Sequence, residues 1–350
     1  MTVLNDKPFT WVIRLFLAIW FLFVGMVFVA CAKTPPAQVE FVFGTVCKID
    51  LYEFGSKKLY GQIFSRLREI DNTMSARELG GTSALIKIND NAGIAPVKVP
   101  DDLLEVLEQA KRYAKLSNGA FDPTVGPLVN LWGIGTEGQK VPMEQEIAQA
   151  LALVDWQDLV IDRHEGTAFL KRQGMALDLG AIAKGYAADE AACLAKKANA
   201  SRAIIDLGGN VMAIGGKGKN LPWRIGIQDP LEGRGSYIGV LLVQDKAVVT
   251  SGVYERFFEA DEKRYHHIFS TTSGYPVDNG LLSVTIVADN SMDADALSTA
   301  VFALGYEQGM TLLETVPNAG AIFVFKDLSV RISEALRETF SLTDGNYTVK

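Results

Sequence analysis

Three cysteines in 350 residues, Cys31, Cys47 and Cys193, are too few and too unevenly spaced for a disulfide framework or a thiolate zinc site. Positive charge is also short. Lys and Arg number 34 against 41 Asp and Glu, giving a formal net charge of -7 and a pI near 5.2. That balance, with no basic run interleaved with aromatics, argues against a nucleic-acid binder. No G-x-G-x-x-G follows a strand-like run, no G-x-x-x-x-G-K-[ST] occurs, and no period of repeat-protein length recurs. A dinucleotide-binding Rossmann unit, a P-loop and a solenoid are excluded. What is present is 48% hydrophobic and 21% charged, enough to bury a large core without covalent staples, as one large domain or two ordinary ones.

At the N-terminus, Lys7 and Arg14 precede an apolar run without charge from Leu15 to Ala30, the pattern of a signal-peptide h-region. Extended back to Trp11 the run is nearly long enough to span a bilayer, so an uncleaved anchor helix stays open. The run ends in Phe28-Val29-Ala30-Cys31, a small residue directly before a cysteine, which resembles a loose bacterial lipoprotein cleavage box. On that reading residues 1–30 are a signal peptide and Cys31 is the lipidated first residue of the mature chain. Residues 31–40, with Pro35 and Pro36, are then a tether, and residues 41–350 are a single domain with two subdomains an option. The expected location is the bacterial cytoplasmic membrane, on its periplasmic face.

Along the mature chain, Phe41 to Tyr52 alternates as one strand with Gly44-Thr45 inside it. Leu59 to Ile70 has helical spacing, and Asp71 to Asn91 reads as a polar connection. Asp101 to Leu116 is the cleanest helix, acidic at its start and basic at its end, with Asn118-Gly119 as its stop. Glu144 to Leu153 is a short helix, and Leu159 to Asp162 pairs with Ala168 to Leu170 about a turn that puts His164 at its tip. Ala176 to Tyr186 begins as strand and ends as helix, and such a turn into a helix N-terminus suits phosphate. Strands follow at Ala203 to Ile214, broken by Gly208-Gly209, at Trp223 to Ile227, Ile238 to Leu242, Ala247 to Thr250, Leu282 to Ala288 and Gly320 to Phe325. This mixture predicts an α+β fold of mixed sheets flanked by helices.

Asp293 to Thr299 packs two carboxylates and two hydroxyls into a helix that stops at Gly305. Asp295 and Thr299 stand at i and i+4 on one face. Two oxygens so placed suit Mg²⁺, which takes only one or two protein ligands and fills its shell with water and substrate phosphates. The competing reading is a capped helix, with Asp293 or Asp295 as N-cap.

Taken together, eight segments in one order resemble the FAD:protein FMN transferase family, the ApbE-type flavin-trafficking enzymes. They are Phe43-Gly44-Thr45, Met74-Ser75, Phe121 to Leu128 with Trp132-Gly133, Asp178 to Tyr186, Asp206 to Asn210, Thr250 to Arg256, His267 to Val277, and Asp293 to Thr299. The resemblance spans about Phe43 to Phe302 and implies an ApbE-like catalytic domain over 41–350. It also implies Mg²⁺-dependent transfer of FMN from FAD to a threonine hydroxyl, with release of AMP. The metal would be held by the Ala181 carbonyl, the Asp295 carboxylate and the Thr299 hydroxyl. FAD contacts fall on Phe43, Ala120, Phe121, Asp122, Asp178, Lys184 and Ile268. Lys184, near a helix start, can offer charge to phosphate oxygens. His267 is the expected general base, with Asp295 beside it in the catalytic set, because an imidazole can take a hydroxyl proton at neutral pH.

Two departures stand out. Arg77, two residues after Ser75, replaces an aromatic that the family often stacks on the cofactor, which bears on how tightly FAD is held. Ser270-Thr271 replaces the family's usual Asp-Pro after His-Ile-x. The implied partners are FAD, exported or membrane flavoprotein subunits of redox-pump type, and the membrane through the lipid anchor, with no nucleic acid. The same residues also fit a Mg²⁺-dependent FAD pyrophosphatase yielding FMN and AMP. From another class, a non-catalytic FAD-storage lipoprotein would purify yellow.

Overall fold

Cys47, Ile49 and Leu51 alternate with Lys48 and Asp50, and a period of two sends the first set inward. They lie in a nine-stranded sheet whose strands follow one another across it in chain order. These are β1 (Gln38–Val42), β2 (Thr45–Leu51), β3 (Ala203–Leu207), β4 (Asn210–Ile214), β5 (Lys246–Gly252), β6 (Leu281–Ala288), β7 (Gly320–Phe325), β8 (Ser329–Ile332) and β9 (Thr348–Val349). Neighbours are antiparallel except β8 and β9. β6 is buried along its whole length, as a central strand covered on both faces must be. The computed structural model describes residues 35–77 and 81–350. The expected signal peptide and the lipid site at Cys31 lie outside the described residues.

One reversal lies within what reads as a continuous strand, and a second sits at the break that two glycines mark. Phe43 (φ 54°) and Gly44 (φ 67°) form a left-handed two-residue turn that splits the expected Phe41-to-Tyr52 strand into β1 and β2. A bulky aromatic in that region is strained, and the Asp71 carboxylate holds it by accepting the Phe43 N–H at 2.9 Å. Gly208 (φ 71°) and Gly209 (φ 98°) do the same between β3 and β4. Any side chain at Gly208 would stand 2.3 Å from Thr45 Oγ1, so this reversal nests against the start of β2.

Four helices carry most of the packing: α1 (Lys57–Met74), α2 (Asp101–Leu116), α3 (Ala183–Lys197) and α4 (Ser291–Leu304). α1, α3 and α4 contact the sheet, and α2 packs on α1 and α4. α2 has the bounds its sequence predicts, with Asp101 and Asp102 in the first turn and Lys115 in the last. Elsewhere the chain is more structured than expected. The polar connection after Asp71 contains the helix Ala84–Asp90, capped by the Ser83 hydroxyl. Helices at Gly126–Trp132 and Tyr306–Glu314 and a hairpin of Phe257–Ala260 with Lys263–His266 also appear. The segment before α3 makes only an isolated bridge, Val125 to Ala176, in place of the expected strand. A second apolar cluster forms around Trp132, with Leu128, Ile147, Tyr265 and Phe269. The Trp132 indole donates to the Gly274 carbonyl at 2.9 Å, anchoring the loop that follows His267.

α3 and α4 meet without a side chain between them at Gly185. A Cβ there would lie 2.4 Å from Ser291 O, 2.6 Å from Met292 Cα and 2.8 Å from Asp295 Cβ. Since two of these are backbone atoms, the helices would have to separate. Gly185→Ala is expected to destabilise the fold by about 1–3 kcal/mol, the usual cost of overpacking. Denaturant unfolding checks this, and a midpoint equal to wild type would contradict the close approach.

Candidate active site

The α3–α4 junction places the Asp293-to-Thr299 stretch. The N-cap of α4 is Asn290, neither Asp293 nor Asp295, because the helix starts earlier than the acidic residues suggest. Asn290 Oδ1 accepts the Asp293 N–H and its Nδ2 donates to Asp293 Oδ2, both at 2.8 Å. Asp293 Oδ1 accepts the Tyr113 hydroxyl at 2.5 Å. Both Asp293 oxygens are thus spent on architecture. Asp295, half a turn further, is 5% exposed and points to α3, where its Oδ2 accepts the Gly185 N–H at 2.9 Å. Gly185 is in the first turn of α3, where an N–H has no partner within the helix, and Asp295 satisfies it. Ala181, just before the helix, has a carbonyl without a hydrogen bond among the described residues. Burial pushes the Asp295 carboxyl above its ordinary range, while the Lys184 charge and the Gly185 N–H pull it back.

Thr299 lies one turn beyond Asp295, its hydroxyl 3.3 Å from Ser251 Oγ at the end of β5, which also meets Ser298 Oγ at 2.8 Å. A free carbonyl, a carboxylate with Oδ1 unbonded and a hydroxyl therefore belong to one junction. This hard oxygen set with a single negative charge fits Mg²⁺, whose remaining ligands come from water and phosphate. It does not resemble an all-protein cage. Among the described residues no group of three or more His, Cys, Asp or Glu converges as a metal site.

The histidine pair divides its labour. His266 Nε2 is 2.8 Å from Val277 O and its Nδ1 accepts the Ile268 N–H at 3.3 Å, so both ring nitrogens are used and the ring packs edge-on against Phe302. His266 is structural. His267 Nδ1 lies 3.2 Å from the Arg256 carbonyl, which can only accept. Nδ1 therefore carries the proton, and Nε2 keeps its lone pair. Burial, then the Arg256 charge and His266, push its pKa down to about 3, so the ring is neutral at pH 7. Lys184 adds to this depression and also acts on Asp295, which places one cation within reach of both.

The other expected contacts are distributed around this centre. Lys184 Nζ donates to Gly180 O at 3.0 Å, and Asp178 Oδ1 accepts the Gly180 N–H at 2.8 Å, shaping the approach to α3. The Asp178 N–H donates to Pro123 O at 2.9 Å, joining that approach to the Ala120-Phe121-Asp122 loop. Within the loop Phe121 is buried, and Asp122 has no idle oxygen. Its Oδ1 accepts Thr124 N–H at 2.8 Å and Thr124 O–H at 2.6 Å, and its Oδ2 accepts Trp156 N–H at 3.0 Å. The Asp122 carboxylate builds the loop. Ile268 contributes its side chain to the main core. Arg77 is exposed, its N–H bonded to Ser75 Oγ at 3.0 Å, directly before residues 78–80. In the departing Ser270-Thr271 pair, Thr271 Oγ1 donates to Gly119 O at 2.8 Å, which ties the His267 loop to the end of α2 without the Asp-Pro.

Residue-level reading of the sequence missed Arg256. Its carbonyl receives both the N–H and the Nδ1–H of His267, and its guanidinium reaches to 3.9 Å from where a Gly44 Cβ would stand, linking the Phe43 turn to the histidine. The Thr250-to-Arg256 segment signals a motif, but no spacing rule pairs its carbonyl with a residue further along the chain.

Comparison with known proteins finds one family over most of the chain. The profile described as the ApbE family matches residues 43–323. A FAD:protein FMN transferase of Treponema pallidum is 37% identical over 333 residues, covering 90% of this chain and 91% of the relative. One from Klebsiella pneumoniae is 37% identical, covering 88% and 95%. Among solved structures, the ApbE protein of Thermotoga maritima aligns with a TM-score of 0.77 at 33% identity, covering 85% of this chain and 96% of that one. The flavin transferase ApbE of Vibrio cholerae gives 0.77 at 28%, covering 87% and 98%.

Proposed function

The chain belongs to the ApbE family, and from that premise we propose that it is a FAD:protein FMN transferase carrying FMN onto a threonine of an exported flavoprotein subunit. The observation that carries the site assignment is the Gly185 N–H bond, which fixes Asp295 at the start of α3 close to the unpaired Ala181 carbonyl. Ala181 O, Asp295 and Thr299 would hold Mg²⁺. Bound there, the ion would offset negative charge on the pyrophosphate as AMP departs.

The chain's own groups do the rest. Lys184 and Arg256 present positive charge beside His267, where the pyrophosphate needs it. His267 Nε2 takes the proton of the acceptor threonine hydroxyl. The threonine oxygen bonds to the FMN-side phosphorus, the bond from that phosphorus to the AMP oxygen breaks, and AMP leaves with the electron pair. Phe43, held in its strained turn, and the Ala120-to-Asp122 loop are the candidates the family resemblance gives for flanking the flavin half. Arg77, exposed where the family often has an aromatic, favours turnover over storage. Lipidation at Cys31 and residence on the periplasmic face of the membrane complete the reading and suit an exported acceptor.

The test is incubation of the protein with FAD, Mg²⁺ and a threonine-bearing flavoprotein subunit. AMP release matched by a gain of one FMN mass on the acceptor is expected, with both lost in EDTA. AMP and free FMN at an undiminished rate without acceptor would replace transfer by hydrolysis. FAD bound yellow and intact throughout would replace both by storage.

A further inference from the structure

Behind Asp295 stands a second tier of polar groups that the reaction above does not employ. Asn210, the first residue of β4 after the Gly208-Gly209 reversal, is 2% exposed. Its Oδ1 accepts the Ser291 hydroxyl at 2.5 Å, whereas its Nδ2 has no hydrogen-bond partner among the described residues. A buried amide donor left unused is costly, and its persistence asks for a reason.

The surroundings supply one. Ser291 opens α4, and its N–H is shared by the two Asp189 oxygens of α3 at 2.8 and 3.0 Å. Met292 N–H meets Asp189 Oδ2 at 2.9 Å. The first turn of α4 is thus fastened to α3 through Asp189, again to α3 where Gly185 donates to Asp295, and to the sheet through Asn210. The Asn210 amide also stands near enough to the Asp295 carboxylate to favour its ionised form, although the pair does not meet hydrogen-bond geometry. Asp295 Oδ2 is fixed by Gly185, and among the described residues no donor bonds Oδ1. Carboxylates that bind metal are oriented by such outer donors, and losing one weakens binding.

We propose that Asn210 is a positioning residue for Asp295. Through Ser291 it sets where α4 begins against the sheet, and its unused Nδ2–H is held for the Asp295 carboxylate once a cation draws on the other oxygen. This rests on the reading of Asp295 as a metal ligand. It differs from a purely structural role, in which Asn210 would serve α4 through Oδ1 alone.

The test is Mn²⁺ binding to the full chain by electron paramagnetic resonance, with FAD present and acceptor absent. Asn210→Ala should lower Mn²⁺ affinity by roughly tenfold or more, the usual weight of an outer-sphere partner. Tyr113→Phe, which removes a hydrogen bond to Asp293 on the same helix, should leave it unchanged. Ser291→Ala, which frees the Asn210 amide to rotate, should fall between them and covers the case in which Asn210→Ala does not fold. Wild-type affinity in the folded Asn210 variant, or in the Ser291 variant if only that one folds, overturns the proposal even if its melting temperature has dropped. No Mn²⁺ bound by wild type would overturn the metal reading as well, so the two failures are distinguishable.

Discussion

Asp295→Asn is expected to abolish FMN transfer and at the same time to raise the melting temperature of the metal-free protein. The two effects have one cause. Asp295 is nearly sealed from solvent, and burial raises its pKa on folding. A carboxyl whose folded pKa lies above its unfolded value costs nothing below the unfolded value, because it is neutral in both states. As pH rises through the folded value, it penalises the native state. Above the folded value the wild-type chain carries that penalty in full. Asparagine keeps an oxygen for the Gly185 N–H, removes the charge and with it the penalty. The charge is what a cation at the Ala181 junction needs, so transfer should fall by at least about a hundredfold, the scale of losing one electrostatic stabiliser in a water-poor site. Thermal melts in EDTA and in Mg²⁺ check this. The variant should melt higher in EDTA, and only wild type should gain on adding Mg²⁺. A variant that melts lower in EDTA would show that the carboxylate is a structural asset.

His267→Ala should slow transfer by about 10²–10⁴, the range for loss of a general base. The pH profile is the more discriminating result. With its pKa pushed down to about 3, His267 is neutral throughout the ordinary assay range, so kcat/KM should show no acid limb from it between pH 5 and 8. Arg256 is the main charged contributor to this depression. Bound pyrophosphate offsets that charge, so kcat, which reports the loaded enzyme, should begin to fall at a higher pH than kcat/KM. Arg256→Gln should move the free-enzyme limb upward. A wild-type kcat/KM with a limb at the ordinary histidine value would contradict the depressed ring.

Much of this was legible in the sequence, for a physical reason in each case. α2 could be bounded because its charges follow the helix dipole and its apolar stripe is unbroken. β6 and β7 could be placed because central strands are mostly apolar runs, interrupted in β6 only by the small polar residues Ser283 and Thr285. Asp295 and Thr299 share a face because i and i+4 must. The reversals at Phe43-Gly44 and at Gly208-Gly209 were opaque as reversals, since a two-residue turn preserves alternation on either side of it. The true cap of α4 was opaque too. Asn290 looks like a loop residue until Asp293 is seen bonding back to it. The roles of Arg256, Asn210 and Asp189 depend on partners distant in the chain, and no local pattern encodes such a pairing.

The glycine at the meeting of α3 and α4 has one more consequence. Because no side chain separates the helices at Gly185, the spacing between the Ala181 carbonyl and the Asp295 carboxylate is set by main chain against main chain, and rotamer choice has little say in it. The alanines buried along α3, among them Ala187, Ala188 and Ala191, then act as shims. A methyl added to any of them that tilted α3 would misalign the chemistry from a distance. For this protein a packing defect in that seam and a catalytic defect would be the same lesion, seen once as instability and once as lost turnover.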